Sequence, residues 1–323
     1  MPEAVYAKLL AIFETIALGW VAARARWLGD ARDGAAAVRV LSAVSFNLFV
    51  PALLFRTMAR LDLAALPWRT LAAYFVPVCT WLLAVYLLQR RAAAAHGPAA
   101  PATRAIGATY GNAVQLGIPL AAALFGEAGL GIHIALVSVH GLILLTLLTV
   151  LVEADLARVD HRSTWASTLR TTVRNTVVHP VVLPVLAGLA CNLAGFGLPA
   201  VVDQALAGLG AAVVPVCLVL IGASLHAYDV EGRVPSAATL AAVKLVALPA
   251  LVLVVAHWGF GVDGTALAVV VTMAALPVGS NALLFAQRYA TLQGEASAAI
   301  VLSTLAFVVS APLWLALLAW LAR

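Results

Sequence analysis

Residues Tyr110-Gly111-Asn112-Ala113-Val114-Gln115-Leu116-Gly117-Ile118-Pro119 lie in the middle of a long apolar stretch, and so do Ala275-Leu276-Pro277-Val278-Gly279-Ser280-Asn281. Each puts glycine, proline and amide side chains where an unbroken helix is expected. Proline removes a backbone donor and clashes with the preceding turn; glycine relaxes the backbone. In hydrocarbon an opened backbone must be re-satisfied by protein or must line a watery cavity. Two such segments, matched in position, suggest two discontinuous helices meeting near a membrane midplane. Asn112, Gln115, Gly117, Pro119, Pro277, Ser280 and Asn281 would then hold a solute. The plainer reading is a pair of proline kinks with structural amides.

The membrane setting follows from composition. Of 323 residues, 64% are hydrophobic and only 10% charged, and the mean hydropathy is +1.04. Soluble domains carry about 25% charged residues. These values exclude a soluble enzyme, a nucleic-acid binder and a disordered chain, and leave an all-α polytopic membrane protein whose first partner is the lipid bilayer. The net charge of +5 does not point to nucleic acid, because the basic residues stand singly between apolar segments. Cys79, Cys191 and Cys217 sit in apolar stretches without CxxC spacing, so they read as reduced thiols with no metal. Ala23-Arg24-Ala25 resembles a signal-cleavage site, but Lys8 and Glu14 interrupt the preceding run, and the first segment reads as a retained helix.

A bilayer-crossing helix needs about 20 mostly apolar residues. Ten candidate spans result: 4–24, 36–58, 68–89, 102–126, 129–152, 176–196, 205–226, 236–258, 264–288 and 295–321. Thirteen basic residues fall in the loops after spans 1, 3, 5, 7 and 9, and five on the other side. The excess assigns the first side to the cytoplasm. In a bacterial inner membrane both termini then face the periplasm. The connector 153–175 divides the chain into halves 1–152 and 176–323. Five helices per half make the halves inverted relative to each other. Gly111-Asn112-Ala113 before Gly126-Glu127-Ala128 is echoed by Ser280-Asn281-Ala282 before Gly294-Glu295-Ala296. Pro51 and Pro215 form another rough match.

The same segments speak about charge. Pro119 and Pro277 each suit the first turn of a following half-helix. Two helix N-termini aimed at one cavity would favour an anion. Lys244, about eight residues into the eighth span, would add a full charge; its alternative is a stem that snorkels to the interface. Glu14, at the centre of the first span, reads equally as a hydrogen-bonded carboxyl or as a proton or cation coupling group. His133 and His140 are seven apart, hence on one helix face; they either titrate or face a polar seam. Asn47 and Pro51 either line a second wall of the cavity or make a structural kink.

At these residues the chain resembles the auxin efflux carrier family. The resemblance is carried by Phe46-Asn47-Leu48-Phe49-Val50-Pro51-Ala52-Leu53-Leu54-Phe55, by Gly111-Asn112 with Gly117-Ile118-Pro119, by Lys244 with Pro249, and by Ala275 to Asn281 with Tyr289. It implies a fold shared with bile-acid and sodium–proton exchangers, in which two inverted five-helix repeats cross at broken helices 4 and 9. Spans 1, 2, 6 and 7 would form a scaffold and spans 3–5 and 8–10 a moving domain. Transport would be elevator-like, in a scaffold-mediated homodimer. Family substrates are organic anions, auxin in plants and malonate or related dicarboxylates in bacteria. The central connector of about 20 residues resembles the bacterial, malonate-transporter-like members.

The expected function is therefore secondary transport of a small mono- or dicarboxylate. No GxxxxGK[ST] is present, so ATP is not the direct energy source. Proton coupling, sodium coupling and uniport all fit. No HExxH or GxSxG appears, so no catalytic residue, metal ligand or cofactor is expected. A channel and an intramembrane enzyme are the alternatives.

Overall fold

The computed structural model describes residues 2–29, 31–60, 68–92, 97–159, 182–227 and 234–322. From residue 160 onward the connector 153–175, and the start of the sixth span, lie outside the described residues. Those described are α-helical, interrupted by short π-turns. In chain order the helices are α1 Pro2–Arg24, α2 Ala31–Val44, α3 Val50–Ala59, α4 Trp68–Ala92, α5 Ala100–Thr109, α6 Gly117–Val159 and α7 Val182–Leu193. They continue with α8 Ala200–Ala211, α9 Val213–Ala227, α10 Val234–Ala242, α11 Leu248–Val254, α12 Gly264–Ala275, α13 Asn281–Arg288 and α14 Gln293–Leu321. Within α6, Gly126 leaves the helical region at φ 65° and bends the chain.

Six stretches among the described residues are long and apolar enough to cross a bilayer: Ala36–Ala59, Trp68–Arg91, Gly117–Leu156, Ala200–His226, Val234–Gly259 and Gln293–Leu321. The protein is thus a multi-pass membrane protein. The count falls below ten partly because two expected spans are cut into pieces. The fourth ends at Thr109 and resumes at Gly117; the ninth ends at Ala275 and resumes at Asn281.

Proline explains two of the π-turns. Val243–Ala247 is wound loosely just before Pro249. Pro249 has no N–H for the carbonyl of Leu245, one turn earlier. The Trp314 indole donates to that carbonyl instead, at 2.8 Å. Ser45–Phe49 precedes Pro51 in the same way.

The chain divides into two compact units. The first comprises 1–67, 114–139 and 177–228, the second 68–113, 140–176 and 229–323. Each draws on both halves of the sequence. Inside the first unit, glycine allows helices to touch backbone to backbone. A Cβ at Gly19 would strike the carbonyl of Val219 on α9, and one at Gly222 the carbonyl of Ile16 on α1. Small residues do this work in membranes because lipid tails give helices no hydrophobic reason to associate. Asn192 of α7 donates to the carbonyl of Met58 at 3.0 Å. Arg56 binds Asp203 through Nε at 2.8 Å and Nη2 at 3.1 Å.

The second unit is tied by buried polar groups. Arg104 of α5 makes a two-pronged pair with Glu295 of α14, Nε at 2.8 Å and Nη2 at 3.1 Å, while its Nη1 donates to Gln89 of α4 at 3.1 Å. Ser236 of α10 donates to the same carboxylate at 2.9 Å. Four helices therefore meet at one ion pair whose carboxylate is 2% exposed. Nearby in sequence, Tyr86 donates to Asp155 at 2.6 Å, and Tyr289 donates to Glu153 at 3.1 Å.

Candidate substrate site at the helix crossover

Both broken helices open onto the same place in the second unit. After Thr109 the backbone turns extended at Tyr110, ψ 108°. After Ala275 it turns extended at Leu276, ψ 145°. Gly111 and Val278 then pair as an antiparallel bridge. The Asn112 amide donates to the Pro277 carbonyl at 2.8 Å, and the Gly279 amide to the Tyr110 carbonyl at 2.9 Å. The opened backbones satisfy each other, as a break in hydrocarbon requires.

Residue identity dictates this geometry. A Cβ at Gly279 would lie 2.8 Å from the Gly111 oxygen and 3.2 Å from the Asn112 nitrogen, so only glycine fits against the facing strand. Pro277 departs from the expectation that it opens the following half-helix. It lies in the extended segment, four residues before α13, where the bridge uses only its carbonyl and its missing N–H costs nothing. The Val278 amide, facing away from the bridge, donates to Ser303 Oγ on α14 at 3.0 Å.

The carbonyls at the two helix ends are also met. Trp81 Nε1 of α4 donates to the Ala108 carbonyl of α5 at 3.2 Å. Lys244 Nζ donates to the carbonyls of Ala274 and Leu276 at the end of α12, both at 2.6 Å. Lys244 is fully buried. Its Nζ is engaged by backbone carbonyls rather than snorkelling to an interface. A cation there complements the partial negative charge of the helix end.

The amide side chains gather where the bridge ends. Asn112, Ser280 and Asn281 are half-buried, whereas Pro277 and Gly279 are buried. The Ser280 carbonyl accepts from the Leu284 amide at 3.1 Å, starting α13. The Ala282 amide is met as well, donating to the Gly279 carbonyl at 3.0 Å. The Tyr110 hydroxyl and the Asn281 side chain are hydrogen-bonded. Tyr110 stacks on His140, ring centroids 4.6 Å apart, and His140 Nδ1 lies 3.3 Å from the Tyr74 hydroxyl. One continuous polar and aromatic array thus runs from Tyr74 to Asn281.

The other candidates belong to the first unit. Gly117 opens α6 and Pro119 sits in its first turn, both buried, with Gln115 half-buried in the turn before. His133 is buried on α6. Glu14 is exposed on α1, outside the unit's packed interior. Asn47 is exposed, and its Nδ2 donates to the Ala43 carbonyl at 2.7 Å, one turn back on its own helix. Pro51 follows the π-turn, half-buried. Trp81, Ser303 and Trp314 carry no signal in the sequence, because a tryptophan or lone serine in an apolar run bears no mark of its acceptor.

Among the described residues no group of three His, Cys, Asp or Glu could hold a metal ion. No curated protein matches the chain. The sequence pattern of the family described as Membrane transport protein matches residues 4–315, almost the whole length. That family consists of transporters, not enzymes. A multi-pass helical chain with paired helix breaks, matched over nearly its full length, belongs to this membrane transport protein family, the auxin efflux carriers.

Proposed function

We propose that the protein is a secondary carrier of a small organic anion, a mono- or dicarboxylate of the malonate or auxin type. The observation that carries this reading is the antiparallel bridge between two broken helices, with Asn112, Ser280 and Asn281 half-buried at its edge. The amide side chains at the edge of the bridge offer donors, the groups a carboxylate needs. The site lies against a helix N-terminus, whose partial positive charge favours an anion. No acidic residue occurs in 110–119 or 275–281 to repel one.

The proposed architecture is ten spans in two inverted five-helix repeats, working by an elevator stroke as a homodimer in a bacterial inner membrane, with both termini outside. The first unit collects the helices of spans 1, 2, 6 and 7 with residues 114–139, and the second those of spans 3, 8, 9 and 10 with the first part of span 4 and the end of span 5. The separation of spans 1, 2, 6 and 7 from spans 3, 8, 9 and 10 supports a scaffold and a moving body, whereas residues 114–139, expected in the moving body, fall with the first unit.

The test is thermal unfolding of purified protein against a panel of carboxylates and their neutral amides. A ligand bound only by the folded state raises the apparent stability by RT ln(1 + [L]/Kd). The expected result is stabilisation by one or more carboxylates and by none of the amides. Labelled solute should then show counterflow in liposomes, which a channel would not give. Preference for the neutral amides would overturn the anion assignment.

A further inference from the structure

We infer that Tyr110 is a positioning residue of the solute site: its hydroxyl holds the Asn281 side chain with the nitrogen turned toward the solute, and so sets the preference for a carboxylate over a neutral group. The inference rests on the reading of the crossover as the solute site and deepens it by naming what orients one of its donors.

A primary amide presents donors on one side and an acceptor on the other. Rotated by half a turn, Asn281 would meet a carboxylate with its oxygen and repel it. An anion site therefore needs that amide fixed. Tyr110 is placed to fix it. Its backbone carbonyl accepts from the Gly279 amide at 2.9 Å. Its hydroxyl is hydrogen-bonded to Asn281, two residues further along the same segment. One residue thus grips the facing segment twice, by main chain and by side chain. The ring is itself held in place. It is buried, and it packs on the His140 ring of α6 with centroids 4.6 Å apart. A Cβ on Gly141 would stand only 3.4 Å from the hydroxyl oxygen, so α6 passes close beside it.

The direction of the bond follows from its donors and acceptors. A buried hydroxyl proton needs an acceptor. His140 Nδ1 lies 3.3 Å from the Tyr74 hydroxyl and is engaged there. An asparagine side chain accepts only through Oδ1. The Tyr110 hydroxyl therefore donates to Oδ1 of Asn281. Nδ2 is left on the opposite side, at the half-buried edge of the bridge.

The other half of the chain supplies the comparison. Tyr110 stands two residues before Asn112, and Gly279 two before Asn281. The Gly111–Val278 bridge sets Tyr110 opposite Gly279. Tyr110 reaches across to Asn281, but Gly279 has no side chain with which to orient Asn112. The contribution of Asn281 should depend on Tyr110, and that of Asn112 should not.

The experiment uses the full chain in detergent, with affinities read by titrated thermal shift for malonate and indole-3-acetate and for their neutral amides. Tyr110→Phe keeps the ring and removes the hydroxyl. It should weaken carboxylate binding between several-fold and about tenfold and leave the neutral amides little changed. Added to Asn281→Ala it should cost nothing more; added to Asn112→Ala it should cost the same again. A merely structural role would lower carboxylate and amide affinity together and add equally on both backgrounds, and either result would overturn the inference. So would unchanged carboxylate affinity in Tyr110→Phe. If that variant does not fold, Asn281→Gln decides with Tyr110 intact. It keeps an amide but carries it one methylene away from the hydroxyl, so it should bind the carboxylate as weakly as Asn281→Ala; wild-type affinity would overturn the positioning role. A wild type that binds neither carboxylate would overturn the anion reading and this inference with it, whereas carboxylate binding with additive losses would overturn this inference alone.

Discussion

Replacing Gly279 by alanine puts a methyl carbon 2.8 Å from the Gly111 oxygen, 3.0 Å from its carbonyl carbon and 3.2 Å from the Asn112 nitrogen. All three atoms are backbone, so no side chain can swing aside. The strands must part, and two bonds must lengthen, Asn112 to Pro277 at 2.8 Å and Gly279 to Tyr110 at 2.9 Å. Each leaves a buried donor and acceptor short of a partner, at about 1–3 kcal/mol. Loss of unfolded-state freedom at an alanine offsets roughly 0.4–1 kcal/mol of this. The expected net destabilisation is about 2–4 kcal/mol. The matched control is Gly107→Ala in the interior of α5. Its added carbon would meet Leu240 Cδ1 at an ordinary 3.5 Å, and an alanine in a helix gains roughly 0.5–1 kcal/mol over glycine. Thermal unfolding in detergent should place Gly279→Ala clearly below wild type and Gly107→Ala at or above it. On a scale of about 2 °C per kcal/mol, the Gly279 variant should melt roughly 4–8 °C lower. A Gly279→Ala protein as stable as wild type, with solute binding intact, would refute the bridge as described.

Three further outcomes are expected. Asn112→Ala and Asn281→Ala should each weaken carboxylate binding between several-fold and about tenfold, from a net hydrogen-bond contribution of about 0.5–1.5 kcal/mol, as read by titrated thermal shift. Arg104→Met should cost about 3–5 kcal/mol by leaving the Glu295 carboxylate buried and unpaired, whereas Arg104→Met with Glu295→Met should recover much of it; equal loss in the single and double variants would show that the pair does not hold the four helices. In a chain with Cys79, Cys191 and Cys217 replaced, a cysteine at Ser163 should resist labelling from outside intact cells and one at Arg323 should accept it; the reverse pattern would invert the topology.

Much of the crossover was legible because its residues are conspicuous against an apolar background. A glycine, a proline and an asparagine within a few positions can hardly continue a membrane helix, so interruptions at 110–119 and 275–281 follow from residue chemistry. The role of Pro277 was misread, since proline suits both a helix start and an extended segment, and only its neighbours decide which. Lys244 was legible as costly, but not as the partner of α12, because Ala274 and Leu276 stand 30 and 32 residues further along. Asn47, which reads equally as a cavity wall or a structural kink, donates its amide to the Ala43 carbonyl one turn back on its own helix.

The primary structure alone dictates the solvent and the class. At 10% charged residues the chain must live in lipid, and in lipid every backbone group must be met internally, which leaves helices. It also determined where those helices fail, since backbone failure is a local property of glycine and proline. How each failure is made good depends on packing. The Gly111–Val278 pairing, the Trp81 and Lys244 donors at the helix ends and the Ser303 hydroxyl under Val278 join residues far apart in the chain. Hydrogen-bond acceptors on the backbone carry no sequence signature, so which side chain finds which carbonyl is settled only when the helices pack.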